Sequence, residues 1–168
     1  MARPAPRPLS DDSPKAAYRT GLLILGRREL TSRQLHERLL RRGYPRGSAD
    51  HAVAELQRTG ALDDARAATA KARHGAVIRR HGKARVLREV RATGVDSEVA
   101  GRAVDEVFDD VSEDAQIVAA VSRKLHGSAP PTDPKLVRRL QGWLLRQGYD
   151  SGRIRRLLKA GFQIDEDE

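Results

Sequence analysis

The chain has 168 residues and a net charge of +9, and aromatic residues make up only 4% of it. Cysteine is absent, which excludes disulfides and thiolate zinc sites and suits a reducing cytoplasm, where we expect the protein to act. No apolar run approaches the roughly 20 residues that a membrane-spanning helix needs, so we expect no membrane contact. A chain this basic usually meets a polyanion or an acidic protein surface.

The first part of the chain predicts a tail followed by helices. Residues 1–14 are rich in proline and lack apolar periodicity, which predicts a disordered tail. Helical periodicity begins near Lys15. Thr31 and Gln34 then have the spacing of a capping box at the start of the next helix. That helix should end at Gly43, because glycine adopts the left-handed backbone that commonly follows a helix.

Further helix boundaries follow in the middle of the chain. Ser48 is the predicted cap of a third helix, which carries apolar residues at helical spacing and ends at Gly60. Asp63 or Asp64 is the predicted cap of the helix after it.

The last third of the chain predicts one more group of helices, at residues 111–162. A linker at residues 127–132 interrupts this group, and Asp133 with Pro134 has the pattern of a helix start. The final residues 163–168 form a predicted acidic tail.

The helical pattern recurs around Gly43, Gly94 and Gly148, which are 51 and 54 residues apart. Apolar residues stand eight positions before these glycines at Leu35, Val86 and Leu140, and four positions before them at Leu39, Val90 and Leu144. Agreement in three copies predicts three tandem units, at residues 15–61, 62–110 and 111–162. We therefore predict an all-α fold, an elongated, curved array of three-helix, helix-turn-helix-like repeats with about nine helices.

Basic residues, mostly arginine, are concentrated in parts of each unit. The candidates for contact with a partner or with DNA are Arg41, Arg42, Arg79, Arg80, Lys83, Arg85, Arg88, Arg138, Arg139, Arg153, Arg155 and Arg156. The planar guanidinium pairs bidentately with phosphate or carboxylate, which favours binding. The alternative is a set of solvated helix faces without a partner.

The sequence offers no convincing catalytic, cofactor or metal site, and we predict none. The five histidines form no i, i+4 pair, and no phosphate loop, dinucleotide fingerprint or nucleophile elbow is present. Asp63 and Asp64 could hold Mg²⁺ as in a nuclease, but helix capping suits their position better. Trp143 lies on an apolar stripe and is predicted to pack in a core, with an interface anchor as the alternative. Tyr149 follows a repeat glycine and should pack back on its helix, with base stacking as a weaker alternative.

Several sequence motifs occur in a fixed order along the chain and can be compared with those of known families. They are Ala17–Leu35, Leu39–Tyr44, Leu56–Arg66 with its Leu-Asp-Asp sequence, His81–Lys83 and Leu87–Val95. On these residues the chain resembles the RecX regulatory family over about residues 15–160. It departs from the family pattern at Ala67 and Ala68, where an aromatic residue is usual, and in its proline-rich linker.

The resemblance implies a small, non-enzymatic regulator of DNA repair and recombination. Proteins of this family bind the RecA recombinase and its filament on DNA and restrain strand exchange, ATP hydrolysis and coprotease activity. Some also bind single- or double-stranded DNA directly. We expect a monomer with these partners. The alternatives from the residues are a stand-alone helix-turn-helix DNA-binding protein and, with less support, a Mg²⁺-dependent nuclease.

Overall fold

The computed structural model describes residues 11–127 and 131–159 of the chain. Within these residues the secondary structure is entirely helical, which confirms the predicted all-α class. The helices are α1 (Pro14–Leu25), α2 (Ser32–Arg41), α3 (Arg46–Arg58), α4 (Asp64–Arg73), α5 (Lys83–Arg91), α6 (Ser97–Asp109), α7 (Glu113–Leu125), α8 (Pro134–Gln147) and α9 (Ser151–Lys159). One π-helical turn, His74–Ile78, follows α4. The first ten residues, the middle of the predicted linker and the predicted acidic tail lie outside the described residues.

The chain divides into two compact units. Among the described residues, the first contains residues 11–70 and 90–100, and the second contains residues 71–89, 101–127 and 131–159. Helices α4, α5 and α6 contribute residues to both units. The boundaries between the three repeats, after residue 61 and after residue 110, stay a prediction.

The first unit is built around α1, α2 and α3, whose apolar faces form one core. Leu35, Leu39 and Leu56 are fully buried there. The predicted capping box is present, since Thr31 Oγ1 accepts from the amide of Gln34 and the Gln34 side chain accepts from the amide of Thr31. A capping box satisfies two helix-end amides and so fixes where α2 begins.

The start of α3 differs from the prediction. The helix begins at Arg46 after Pro45, and no side chain caps it. Ser48 is already the third helical residue, and its hydroxyl donates to the carbonyl oxygen of Asp12 over 2.7 Å. The prediction was wrong because proline supplies an extended backbone from which a helix can start without a polar cap.

The second unit has its main core between α7, α8 and α9. Ile117, Leu144 and Leu157 are fully buried in it. As predicted, Asp133 caps α8 by accepting from the amide of Lys135 over 2.9 Å, and Pro134 is the first residue of the helix.

The repeat positions have the same environment in all three copies. The residues eight and four positions before each repeat glycine are at most 1% exposed, namely Leu35, Val86, Leu140, Leu39, Val90 and Leu144. The three glycines all have positive φ angles, 99° at Gly43, 89° at Gly94 and 93° at Gly148. L-amino acids with a side chain seldom adopt this backbone, so glycine is required at each helix end.

Candidate partner-binding surfaces

Arg41 and Arg42 lie at the end of α2 and are exposed. Arg41 Nε donates to the carbonyl oxygen of Glu37 over 3.2 Å. Cations at this end of a helix are favoured by the unpaired carbonyl groups of the last turn. The guanidinium of Arg42 has no acidic partner among the described residues.

Arg42 also lines an open depression between α1 and α2, with a cavity volume of about 460 Å³. Arg27, Arg28 and Arg38 contribute to the same lining, together with the 73% exposed side chain of Leu23. Burial lowers the pKa of Arg38, and the nearby positive charges of Arg28, Arg41 and Arg42 lower it further. Arg27 and Arg28 follow the end of α1, whereas Arg38 lies in α2 and Arg42 directly after it, so their proximity has no local signal in the sequence.

Two acidic residues that are close to these arginines in the sequence, Glu29 and Glu37, pair with other arginines. Glu29 accepts from Arg66 over 2.7 Å, and Glu37 accepts from Arg33 over 3.1 Å. The positive charge of the depression is therefore uncompensated by these carboxylates, and an anion would relieve the mutual repulsion.

Arg79 and Arg80 lie in a loop between the π-helical turn and α5 in the second unit. Arg80 has a φ angle of 54°, and its carbonyl oxygen accepts from the hydroxyl of Tyr149 over 2.6 Å. The amide of Gly82 donates to the carbonyl oxygen of Gln147 over 3.0 Å. These bonds fix the backbone of the loop while both arginine side chains remain exposed.

The basic residues at the start of α5 are engaged within the protein. Lys83 Nζ lies 3.0 Å from Asp105 Oδ1. Arg85 donates to Glu89 Oε1 over 3.1 Å and to Gln147 Oε1 over 2.9 Å. Lys83 and Arg85 therefore pair within the second unit, which makes them weaker candidates for partner contact. Arg88 is exposed and has no acidic partner in the described part of the chain.

Glu89 is the centre of this network. Burial acts to raise its pKa, but the hydrogen bond from Arg85 and the positive charges around it outweigh burial and lower the pKa. His81 Nδ1 lies 3.1 Å from Glu89 Oε1, and Lys71 Nζ lies 3.7 Å from Oε2. Burial, and then the charge of Arg85, lower the pKa of His81. The only acidic residue between Lys71 and Arg91 is therefore engaged with Lys71, His81 and Arg85.

Arg153 and Arg156 have a structural role at α9. Both pair with Asp114, which is 5% exposed, and Arg153 Nη1 lies 3.1 Å from Asp114 Oδ1. A buried carboxylate needs such partners, since an unpaired buried charge is costly. Arg155, between them in sequence, is exposed.

Arg138 and Arg139 lie on α8 and are exposed at a second open depression, with a cavity volume of about 620 Å³. Trp143 and Lys124 line it as well, and Lys124 Nζ is 4.8 Å from the centroid of the indole ring. The ring is partly buried and packs against the core of the unit, as the apolar stripe predicts. Tyr149 is buried against the same core, also as predicted.

The acidic pair considered as a nuclease site has another role. Asp63 Oδ1 accepts from the amide of Arg66 over 3.0 Å, so the predicted capping of α4 is confirmed for Asp63. Asp64 Oδ1 accepts from the amide of Ser32 over 2.6 Å and from its hydroxyl over 3.0 Å. In the described residues no three histidine or acidic side chains come together as they would to hold a metal ion. Over the same part of the chain, no helix is long and apolar enough to cross a membrane.

These helices and surfaces define an all-helical protein with three copies of one helical pattern and exposed arginines in both units. A family model described as RecX, first three-helix domain, matches residues 17–56. The chain is 31% identical over 157 residues to the regulatory protein RecX of Halorhodospira halophila, which covers 90% of this chain and 92% of that protein. It is 33% identical over 132 residues to the regulatory protein RecX of Amycolatopsis mediterranei, over 77% of this chain and 73% of that protein.

A comparison of the fold with solved structures also finds RecX proteins. The crystal structure of RecX from Lactobacillus salivarius superposes with a TM-score of 0.73 at 16% identity, over 90% of this chain and 97% of that one. The chain belongs to the RecX family of regulatory proteins.

Proposed function

We propose that this protein binds the RecA recombinase and its filament on DNA, and that it mainly inhibits the recombinase, ATPase and coprotease activities. Membership of a regulatory family supports a role in regulation. Direct contact with single- or double-stranded DNA is part of the proposal. The protein acts by binding, and its own residues carry out no reaction.

The observation that carries the proposal is a set of exposed arginines without an acidic partner among the described residues. Among the twelve basic candidates of the sequence they are Arg41, Arg42, Arg79, Arg80, Arg88, Arg138, Arg139 and Arg155. Arginine is well suited to bidentate pairing with the carboxylates of an acidic protein surface or with DNA phosphates. Other basic residues that the sequence singled out are less available, because Lys83, Arg85, Arg153 and Arg156 pair within the protein.

The test adds the purified protein to RecA filaments on single-stranded DNA and follows ATP hydrolysis. We expect inhibition near stoichiometric amounts, and no effect at such amounts would contradict the proposal. Saturable, sequence-dependent binding of duplex DNA without any effect on RecA would instead favour a stand-alone DNA-binding protein.

A charge-reversal pair sharpens the test. Arg79→Glu with Arg88→Glu should weaken inhibition at least tenfold, because it removes two unpaired cations from the second unit. The matched control is Lys15→Glu with Arg46→Glu. Both control residues are exposed in the first turn of a helix, where an acidic side chain is well tolerated. Equal loss in the two double variants would show that net charge alone matters.

A further inference from the structure

The depression beside α8 combines an aromatic ring with an excess of positive charge. Trp143 lies in its lining with Lys124, Arg138, Arg139 and Arg146. None of these four cations has an acidic partner among the described residues. The acidic residue nearest in sequence to Arg146 is Asp150, which accepts instead from the amide of Arg153 over 2.8 Å.

One face of the Trp143 ring is in contact with a charged group. Trp143 packs against the apolar core of the unit, and Lys124 Nζ stands over the ring at 4.8 Å from its centroid. Lys124 is exposed, so its ammonium group keeps most of its hydration, and a ligand that displaced it would reach the ring face beneath it. A flat aromatic ligand could stack there, and Lys124 would then be free to meet a phosphate.

Gly142 leaves room beside the ring. A glycine inside a helix lowers helix stability relative to alanine, so it needs a packing or functional reason. A Cβ at Gly142 would meet only Arg146 Nη1, at 3.5 Å, which is an ordinary van der Waals contact. The fold therefore does not require glycine at this position, and Gly142 lies in the lining of the depression, where a side chain would occupy part of the open space.

We propose that this depression binds a single strand of nucleic acid, with one base stacked on Trp143 and the flanking phosphates on Arg138, Arg139 and Lys124. Single-strand sites generally combine stacking platforms with basic side chains that follow the backbone. A purely acidic peptide would use the cations but not the ring. The inference rests on the DNA contact within the proposed function, and it adds the site and the form of the nucleic acid.

The chain reports on this site directly, because Trp143 is its only tryptophan. The full protein, without RecA, is titrated with a thymidine oligonucleotide of about 15 nucleotides, and tryptophan fluorescence is excited where tyrosine does not absorb. Three further titrations use an abasic sugar-phosphate strand of the same length, the duplex form and polyglutamate.

We expect saturable quenching by the thymidine strand and little quenching by the abasic strand or the duplex, even where fluorescence anisotropy shows that they bind. Binding of the thymidine strand without a change in tryptophan emission would overturn the proposal. Equal quenching by polyglutamate would overturn it as well, in favour of an acidic peptide partner.

Three variants separate a binding role from a structural one, with affinity measured by anisotropy of a labelled strand. Trp143→Leu should weaken binding about tenfold through loss of stacking. Because Trp143 also packs on the core, Arg138→Glu with Arg139→Glu provides a change confined to exposed residues, and it should weaken binding at least tenfold with unchanged helicity. Gly142→Ala should bind more weakly although its helix is more stable, and unaltered affinity in these last two variants would contradict the site.

The fluorescence titration and the RecA inhibition assay test separate claims. Failed quenching together with normal inhibition of RecA would remove this site and leave the proposed function in place. Normal quenching without inhibition of RecA would contradict the proposed inhibition of RecA and leave this nucleic-acid site in place.

Discussion

The hydroxyl of Tyr149 donates a hydrogen bond of 2.6 Å to the carbonyl oxygen of Arg80. The tyrosine is 3% exposed, whereas Arg80 lies in an exposed loop with a φ angle of 54°. Few residues with a side chain adopt such a backbone, and it persists only where surrounding contacts compensate its strain. A buried ring after α8 thus stabilises the backbone that presents Arg79 and Arg80.

Tyr149 should make the free energy of unfolding depend on pH in the alkaline range. Burial raises its pKa to about 12, against about 10 in an unfolded chain. Above pH 10 the unfolded chain has lost a proton that the folded protein retains, so the free energy of unfolding falls as pH rises from about 10 to 12. Below pH 10 this contribution is fully present.

Tyr149→Phe should remove this part of the pH dependence and should cost about 1 kcal/mol at neutral pH through the lost hydrogen bond. Urea unfolding at a series of pH values checks both effects. The other two tyrosines are unchanged in the variant, so the difference between the two proteins isolates Tyr149. A pH profile identical to that of the parent protein would contradict the prediction.

Gly82 should be intolerant of a side chain. Its Cβ would lie 2.4 Å from the carbonyl carbon and oxygen of Gly148, which are backbone atoms and cannot move aside easily. Gly82→Ala should therefore lower the free energy of unfolding by about 2–3 kcal/mol.

The matched control is Gly101→Ala within α6, where a Cβ would meet no atom within 4 Å. It should raise stability by about 0.5–1 kcal/mol, because alanine favours a helix. Thermal unfolding of both variants gives the comparison, and destabilisation by Gly101→Ala would show that its surroundings are more crowded than the structure has them.

Asp114 should be the most sensitive acidic residue of the second unit. Its replacement by asparagine removes the carboxylate with which both Arg153 and Arg156 pair. The side chains of both arginines are about 40% exposed, so the cost should lie near 2 kcal/mol, below that of breaking a fully buried pair.

Asp105→Asn offers the contrast. Asp105 pairs with Lys83 in solvent, with 66% and 47% of their side chains exposed, and its loss should cost less than about 1 kcal/mol. Chemical denaturation distinguishes the two, and equal costs would mean that the burial of Asp114 has no energetic consequence.

Arg85 and Arg88 are neighbours on α5 that should respond differently to charge reversal. Arg85→Glu removes the hydrogen bond to Gln147 and places a second carboxylate beside that of Glu89. It should therefore destabilise the protein by about 1–2 kcal/mol. Arg88→Glu should change stability by less than about 0.5 kcal/mol, as exposed substitutions generally do. If circular dichroism melts of the two variants coincide, Arg85 has no structural role and regains its place among the partner-binding candidates.

Helix boundaries could be predicted wherever the signal was local. The capping box of Thr31 and Gln34, the cap at Asp133 and the glycine at Gly43 each act within four residues of chain, so their sequence pattern is sufficient. Ser48 shows the opposite case, because its hydroxyl bonds to Asp12, 36 residues away, and no local rule gives that contact.

The candidate surfaces were only partly predictable. Charge and arginine content are properties of the sequence, but whether an arginine is available depends on distant residues. Arg153 pairs with Asp114 from α7, 39 residues away, while Arg155 beside it remains exposed. The sequence predicted Trp143 as a core residue, with an interface anchor as the alternative, and it named Arg138 and Arg139 as candidates. It had no signal for Lys124 over the ring, since Lys124 comes from another helix.

The sequence by itself determined the helical class and the three copies of one pattern, because apolar residues recur at helical spacing and glycines recur at matching offsets. The resemblance to the family was carried by its ordered motifs, such as the Leu-Asp-Asp sequence. Only the tertiary structure decided which of the twelve basic candidates pair with acidic residues of the protein and which do not. The physical reason is that an ion pair depends on the distance between residues far apart in the chain, and packing of the helices sets that distance.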